Sequence, residues 1–468
     1  MESVPPEAVI PKSPSLSSEG TAEASTSPRI YRAGTLRYTL RGLLILFLWL
    51  LGGDFAFTFF ESIFARYIPI YLKDLQASNT LIGVMTGSFA GLVNVFFLPN
   101  ISRWSDAYRG RLGRRIPFLY VVAPLTVLSL LAVGFAPELG AWLHLRLIAR
   151  VSPSIAGSAV VMALLCAFVV SFHFFNMVLV NAYNWLLRDV VPLELMARFL
   201  SWFRIVGTAS TFLFLWFVFP HISSHRHEVF LAVGLFYLVA FLFMCRNVRE
   251  GDYPELPPKE TRPGLLQSYV IYFRECLTLP LYRNFFIASV LSVVATSCAG
   301  PFVILFTRST LGLDMETLGK ILAWGTAASA LVYFLMGWLC DRFSPLHVMI
   351  GALVGHILTA GIAFFFVDGK GGVLAYNLLH TVPAVAWGLA TMAAGMRLFP
   401  REKYGQFSSG LNVFGCGALI FGNYLIGKFM DLVHSDYRMT FLWSALLYLL
   451  AIYPLLLVCR DWNKHEPV

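Results

Sequence analysis

Twelve long apolar runs, separated by short polar segments, constrain this chain more than any other feature of its sequence. Each run is roughly 20 residues long, the length that an α-helix needs to cross the hydrocarbon core of a bilayer. Of the 468 residues, 57% are hydrophobic and 13% are charged, whereas a soluble domain is about 25% charged. Because the runs are continuous, they exclude the short alternating strands of a membrane β-barrel. The sequence therefore predicts an all-α polytopic membrane protein with 12 transmembrane helices.

The runs fall into two groups of six, and the longest internal hydrophilic stretch, residues 246–283, lies between them. That stretch contains LLQSYVIYFRECL, for which we expect a short helix on the membrane surface. Two six-helix halves joined by a cytoplasmic linker are typical of transporters that bind a solute between the halves. We expect a disordered tail over 1–33, halves over 34–245 and 284–459, and a cytoplasmic tail over 460–468. The spans are expected at about 42–65, 78–98, 117–136, 157–186, 197–220, 228–245, 284–307, 317–339, 347–367, 372–396, 407–427 and 439–459.

Positive charge is unevenly distributed along the chain, whose formal net charge is +9. Most of the 35 Lys and Arg residues lie in segments on the same side of the predicted bundle as both termini. By the positive-inside rule, we expect both termini to be cytoplasmic and the protein to lie in the cytoplasmic (inner or plasma) membrane. The excess of basic residues therefore reflects membrane topology, and no nucleic-acid partner is expected.

Residues 98–119, LPNISRWSDAYRGRLGRRIPFL, form the most informative polar connection. Its arginines can anchor the cytoplasmic face, Asp106 offers them a carboxylate, and Gly110 and Gly113 permit a tight turn. A plain basic loop is the alternative explanation. The segment also resembles the Asp–Arg loop between helices two and three of the major facilitator superfamily. Its SD…R.GRR.PF pattern is similar to the glycoside–pentoside–hexuronide cation symporters and the plant sucrose carriers. Three further segments resemble connections of that group: YNWLLRDVVPLELMARFLSWFRIVG (183–207), CDRF (340–343) and KYGQFSSG (403–410).

The resemblance implies a fold of the major facilitator type, which binds a small solute between its halves and exposes it to each side in turn. For this chain it implies a secondary transporter of a sugar or glycoside, moved together with protons. Ion pairs at the cytoplasmic face are the expected gate and would help to hold the outward-facing state. The expected pairs are Asp106 with Arg111 and Arg114, and Arg188 with Asp189 at the end of the fourth span.

The resemblance also bears on the coupling ion. Members of the group with a sodium site carry two carboxylates in helix two. Counting back from Pro99, this chain has Asn94 and Leu98 at those positions. We therefore expect H+ rather than Na+ as the coupling ion, with no metal and no other cofactor; transport without coupling is the alternative.

Two carboxylates, Asp54 and Glu61, lie well inside a predicted span, where a charged side chain is costly and usually lines a cavity or pairs with another group. Their spacing of seven places them on one face of the first helix. A carboxylate in a low-dielectric site can carry a coupling proton or bind hydroxyl groups. The alternative is a structural ion pair, for example between Glu61 and Arg66. Asp54 also resembles the sugar-binding Asp in helix one of the melibiose-carrier group.

Several amides, imidazoles and one indole are candidates for contact with the solute. Amides such as Asn176 and Asn377 suit a hydroxyl-rich ligand because they both donate and accept hydrogen bonds, although they can also link helices. In the tenth span, His380 is a candidate ligand and Trp387 a candidate platform for a sugar ring, with packing as the alternative. His173 is a further candidate, with a satisfied core imidazole as the alternative.

Other functions receive little support from the sequence. The motifs HExxH, GxSxG and GxxxxGK[ST] are absent, so no enzyme or ATP-driven pump is expected. Seven cysteines lie mostly in apolar runs without metal-ligand spacing, and HISSHRH (221–227) is expected to be a solvated loop. An exporter of drugs or other organic solutes, and a sensor that binds solute without moving it, remain as alternatives. The expected partners are a small, sugar-like solute and the lipid bilayer, and the expected state is a monomer.

Overall fold

A computed structural model describes residues 30–152, 154–253, 277–400 and 403–465 of the chain. The described part contains 12 helices that are long and apolar enough to cross a membrane, and all twelve expected spans are confirmed, with helix ends that lie up to nine residues from the expected bounds. The first half contains α1 (Leu40–Asp74), α2 (Asn79–Ala107), α3 (Ile116–Gly134), α4 (Gly157–Val190), α5 (Arg198–His221) and α6 (Arg226–Asn247). The second half contains α7 (Pro280–Thr310), α8 (Met315–Cys340), α9 (Pro345–Phe366), α10 (Lys370–Leu398), α11 (Gln406–Leu432) and α12 (Met439–Trp462).

The starts of several helices are set by capping side chains, which satisfy backbone N–H groups that have no partner within the helix. The hydroxyl of Thr39 accepts from the backbone of Gly42 at the start of α1. Ser78 caps α2 in the same way, and Asp314 caps α8. Short connections follow most helices, so neighbouring spans run antiparallel. Below, the side on which α1 begins and α12 ends is called the termini side, and the opposite side the far side.

A small hairpin precedes α1 on the termini side. Strands β1 (Tyr31–Ala33) and β2 (Leu36–Tyr38) pair antiparallel around Gly34, whose φ of 57° is readily adopted only by glycine. The backbone N–H of Asp252 donates to the Thr35 hydroxyl (2.8 Å), which ties the hairpin to the segment after α6. The last residues of the tail expected over 1–33 are therefore strand. Residues 1–29, the surface helix expected within 246–283, and residues 466–468 lie outside the described part.

A helical segment over residues 136–151, between α3 and α4, lies on the far side and has no counterpart among the elements expected from the sequence. It packs on α4 at Gly140, where a Cβ would lie 2.8 Å from the Cα of Val161. Trp142 and Leu145 are exposed, whereas Arg146 and Arg150 supply positive charge. Mixed apolar and basic residues are typical of a helix that lies in the membrane interface.

The two halves pack closely at the far side. A Cβ at Gly427 of α11 would lie 2.6 Å from the backbone oxygen of Asn79 in α2. A Cβ at Gly319 of α8 would lie 2.6 Å from the backbone oxygen of Leu215 in α5. Glycine at these positions lets the helix backbones approach, as is common between membrane helices. The far side of the bundle is therefore closed between the halves.

On the termini side the halves separate. A cavity of about 250 Å³ lies between α2 and α4 of the first half and α11 of the second. Asn94 and Trp185 line one wall, and Ser409 and Asn412 line the other. The structure therefore holds one conformation of the bundle, closed at the far side and parted at the termini side.

Candidate functional site

A central cavity of about 480 Å³ lies between α1 and α5 of the first half and α8 and α10 of the second. Its volume suits a small solute, and most of its lining side chains carry a hydroxyl, amide or charged group. Polar groups therefore face the cavity from both halves. The polar lining consists of Asp54, Thr58, Arg66, Arg204, Thr208, Thr211, Thr326, Ser329, Tyr333, Asn377, His380 and Thr381.

Asp54, predicted as the first group to consider, lines this cavity on the wall formed by the first half. Its side chain is 2% exposed, and its Oδ2 atom has no hydrogen-bond partner among the described residues. A Cβ at Gly207 of α5 would lie 3.6 Å from Oδ2, so the glycine leaves space beside the carboxylate. Arg204, one turn before Gly207, lines the same cavity. Buried oxygens are normally paired, so this one is available to a ligand or a proton.

Glu61 lies two turns beyond Asp54 on α1, as its spacing predicts, but it has a partner within the first half. The Asn176 amide of α4 donates to Glu61 Oε1 (3.2 Å), and the other amide atom, Oδ1, is buried without a partner among the described groups. Neither residue is among those that line the central cavity. The pair joins α1 to α4 behind the cavity wall.

In the second half, Asn377 and His380 both line the cavity from α10. The Asn377 amide donates to the backbone oxygen of Ile321 (2.7 Å), which ties α10 to α8. The Nδ1 atom of His380 lies 3.3 Å from the Thr359 hydroxyl, and its ring centroid is 4.7 Å from that of His356. His380 is thus held by α9 while its ring faces the cavity.

Two other candidates lie in apolar cores. Trp387 is 8% exposed and belongs to the apolar core of the second half. The face of α10 that lines the cavity carries Asn377, Thr381 and Ala384 instead. Its position does not support the predicted stacking role. His173 is buried, with Nε2 2.7 Å from the backbone oxygen of Met85, which confirms the satisfied core imidazole.

The charged residues predicted for the gate form a network at the termini side, in which the expected pair of Asp106 with Arg114 is present and the other pairs differ from those expected. Asp189 at the end of α4 accepts from Arg114 (2.9 Å) and from Arg115 (3.4 Å) instead of pairing with Arg188. Asp106 pairs with Arg115 and, as expected, with Arg114 (3.6 Å), whereas the expected pair with Arg111 is not formed among the described residues. The network therefore joins the end of α2, the start of α3 and the end of α4.

Arg111 and Arg188, the remaining predicted gate residues, are exposed. Arg111 lies in the loop between α2 and α3, where it lines a cleft on the termini-side surface. Arg188 precedes Asp189 by one residue, so the helix directs the two side chains apart. Adjacent positions on a helix do not face each other, which is why the predicted Arg188–Asp189 pair is not formed.

Sequence reasoning missed two members of the network, Glu250 and Tyr253, which follow α6. The Glu250 carboxylate accepts three backbone N–H groups at the start of α3, from Arg114 (3.0 Å), Arg115 (2.8 Å) and Ile116 (2.7 Å). The Tyr253 hydroxyl donates to Glu250 (2.6 Å) and lies 3.1 Å from Asp189. Burial and the Glu250 carboxylate raise the pKa of Tyr253, so its hydroxyl remains a donor. No local motif marks Glu250, because the backbone N–H groups that it caps are more than 130 residues away in the sequence.

At the far side, hydrogen bonds cross between the halves. The Asp431 carboxylate of α11 accepts from the backbone N–H groups of Asn79 and Thr80 (both 2.9 Å) and from the Thr80 hydroxyl (2.6 Å). The Asn79 amide donates to the Ser435 hydroxyl (2.8 Å), and the Tyr437 hydroxyl donates to Asn79 Oδ1 (2.8 Å). We call these five residues the far-side latch.

The histidine-rich loop predicted to be solvated lies at the far side between α5 and α6. His227 Nε2 is 3.1 Å from a Glu138 carboxylate oxygen, and Arg226 donates to the same oxygen (2.7 Å). His225 lies 3.0 Å from the Ser224 hydroxyl. Within the described ranges, no three His, Cys, Asp or Glu side chains are grouped so that they could hold a metal ion.

Comparison with known proteins adds a family and a fold. A sequence model described as Major Facilitator Superfamily matches residues 50–422. No curated protein matches the chain. The solved structure of the nucleoside transporter NupG is similar at a TM-score of 0.66 and 12% identity, covering 88% of this chain and 99% of that one. A bacterial homologue of the iron transporter ferroportin is similar in its inward-facing state (TM-score 0.64) and in its outward-facing state (TM-score 0.57), each at 16% identity over 89% of this chain and 99% of that one.

Proposed function

This chain is a transporter that belongs to the major facilitator superfamily, and we propose that it moves a sugar or glycoside together with protons. The narrower resemblance to the glycoside–pentoside–hexuronide symporters stays a prediction. Transport would proceed by alternating access, in which the two halves rock around a solute held between them.

The observation that carries the proposal is the chemistry of the central cavity. Hydroxyl, amide and guanidinium groups from both halves surround a space that fits a small solute. A sugar offers many hydroxyl groups, each of which can donate and accept, and such a lining can satisfy them. An apolar drug would leave these polar groups without partners, which costs free energy. The cavity therefore favours a hydroxyl-rich solute over the exporter alternative.

Asp54 is the proposed coupling group. Its Oδ2 atom is buried at the cavity wall without a partner, so the carboxylate can bind a solute hydroxyl when ionised or hold a proton when neutral. Arg204, on the same wall, favours the ionised form once the proton has left. A cycle in which proton and solute both contact Asp54 would link their movements.

The proposal assigns the termini to the cytoplasm, so this conformation is inward-facing. The far-side latch is closed, and a cavity parts the halves on the termini side. The greater similarity to the inward-facing than to the outward-facing state of the ferroportin homologue supports this assignment. In the outward-facing state the latch must open. The charged network with Asp106, Arg114 and Asp189 lies within the first half and is already formed in this conformation, so it can persist when the cytoplasmic side closes, contrary to the gate role expected from the sequence.

The test is uptake by proteoliposomes that contain the purified protein. Labelled monosaccharides, disaccharides and ribonucleosides are supplied with a proton gradient, a sodium gradient or neither. We expect one sugar to accumulate under the proton gradient alone. Accumulation driven by sodium would contradict the proposed coupling ion, and binding without flux under any gradient would favour the sensor alternative.

Asp54→Asn separates coupling from folding, because the amide keeps the shape of the side chain. We expect uphill accumulation to be lost, while exchange of labelled for unlabelled solute across the membrane continues. Asp74→Asn, at the far-side end of the same helix, is the matched control and should accumulate solute normally. Unchanged uphill uptake by Asp54→Asn would remove Asp54 from the mechanism.

A further inference from the structure

A second large cavity, of about 730 Å³, opens on the termini side outside the central pathway. One wall is the loop between α2 and α3, where Gly110 and Gly113 form a tight turn with a backbone hydrogen bond of 3.1 Å. The other wall is the end of α6 and residues 248–253. We call this cavity the arginine cleft, because four arginines line it: Arg109, Arg111, Arg246 and Arg249.

The charge of the arginine cleft is not balanced by its own residues. Arg111, Arg246 and Arg249 are exposed, and none of them forms an ion pair with another described residue. Of the two carboxylates in the lining, Glu250 is occupied by the three N–H groups at the start of α3. Asp252 is the other. The cleft therefore carries an excess of positive charge that an anion would neutralise.

The level of the cleft in the bundle indicates where that anion comes from. α3 begins at Ile116 and α6 ends at Asn247, so the cleft lies where these spans leave the bilayer. Leu112 lines it with 58% of its surface exposed, and Tyr108 beside it is also exposed. Apolar side chains at the rim of a basic cleft fit a molecule with a charged head and an apolar body.

We propose that the arginine cleft binds the phosphate group of an anionic phospholipid. Guanidinium groups match the tetrahedral oxygens of phosphate through paired hydrogen bonds, and basic pockets at the cytoplasmic membrane surface are typical sites for such headgroups. The same chemistry would accept free inorganic phosphate, so the experiment must separate the two sources. The proposal does not depend on the identity of the transported solute.

Binding in the cleft would act on the charged network at the termini side. Glu250 and Tyr253 line the cleft and also hold Arg114 and Asp189. The Arg114 guanidinium lies 4.0 Å from the centroid of the Tyr253 ring, so these groups form one connected unit. A phosphate beside Arg249 would therefore neutralise charge next to this unit.

The experiment measures lipid binding to the purified full-length protein in neutral detergent by native mass spectrometry. The probes are short-chain phosphatidylglycerol, short-chain phosphatidylcholine and inorganic phosphate. The test variant is Arg246→Gln with Arg249→Gln. The matched control is Arg342→Gln with Arg397→Gln, which removes the same charge from exposed positions on the same side of the second half.

We expect phosphatidylglycerol to bind the wild type and the control variant with the same affinity. Its affinity for the cleft variant should be lower by roughly tenfold or more. Equal thermal unfolding midpoints in neutral detergent would show that both variants are folded. An equal loss of phosphatidylglycerol binding in both variants, or no loss in the cleft variant, would overturn the proposed site. Equal binding of phosphatidylcholine would overturn the requirement for an anionic lipid. Displacement of phosphatidylglycerol by an equal concentration of inorganic phosphate would overturn the lipid as its source.

Discussion

Two carboxylates at opposite ends of the bundle make nearly the same contacts. At the far side, Asp431 accepts backbone N–H groups at the start of α2; at the termini side, Glu250 accepts those at the start of α3. Both carboxylates are stabilised by the positive end of a helix dipole. The difference is the origin of the carboxylate: Asp431 belongs to the other half of the protein, whereas Glu250 directly follows α6, the last helix of the same half as the helix it caps.

That difference separates a contact that must break from one that can persist. In rocking transport each half moves nearly as a rigid body, so a cap within one half can remain in every state. A cap between the halves exists only when that side is closed. Glu250 should therefore determine the stability of the first half, and Asp431 should determine which side of the protein is open.

The largest expected effect is on stability, from Glu250→Ala. The change removes three backbone hydrogen bonds to a carboxylate and leaves the start of α3 without its cap, at a cost of roughly 3 kcal/mol. We expect a clearly lower midpoint of thermal unfolding in detergent. Asp252→Ala, at an exposed position two residues away, should change the midpoint little; equal midpoints for both variants would contradict the role of Glu250.

Asp431→Ala should instead shift the conformation. It removes the charge-assisted bonds that close the far side, worth about 2 kcal/mol or more, which corresponds to at least a tenfold change in the ratio of the two states. The readout is a cysteine introduced at Ser329 in the central cavity and labelled from the far side by a membrane-impermeant maleimide. We expect faster labelling in Asp431→Ala than in the parent Ser329→Cys protein.

The control for this experiment is Asp436→Ala. Asp436 lies in the far-side connection that follows α11 and is exposed, and its carboxylate accepts from the backbone of Arg438 within the second half. It should label at the parental rate. Protein without the introduced cysteine measures labelling of the native cysteines. If Asp431→Ala and Asp436→Ala label equally, the contrast between the two caps does not hold.

The sequence was sufficient for those features that depend on local composition. Membrane spans could be predicted because hydrocarbon requires long apolar runs, whichever helices come to lie side by side. Asp54 could be singled out because a carboxylate within such a run is costly, and it does line the central cavity. Each of these inferences uses only residues within about one helix.

Features that depend on contacts between distant segments could not be predicted in the same way. The sequence places Arg188 beside Asp189, but the partners of Asp189 come from the end of the loop between α2 and α3. Nothing near Glu250 in the sequence indicates that it caps α3, and nothing near Asp431 indicates that it caps α2. Trp387 was placed correctly in α10, but which face of that helix meets the cavity depends on how the halves pack.

The smallest expected effects come from a matched pair of tyrosines. Tyr437 donates to Asn79 across the halves, and Tyr253 donates to Glu250 within one half, so each Tyr→Phe change removes one buried or half-buried hydroxyl donor. A hydrogen bond of this kind contributes about 1 kcal/mol, or about a fivefold change in an equilibrium. Tyr437→Phe should therefore raise labelling of the cavity cysteine from the far side by up to that factor.

Tyr253→Phe should leave that labelling rate unchanged and lower the midpoint of thermal unfolding, because its bond does not cross between the halves. Combining Tyr437→Phe with Asp431→Ala should give less than the sum of the single effects, since both act through Asn79 at the start of α2. If Tyr253→Phe opened the far side as readily as Tyr437→Phe, the termini-side network would be coupled to the latch. The first half could then not be treated as a rigid unit, because a change at its termini side would be transmitted to its far side.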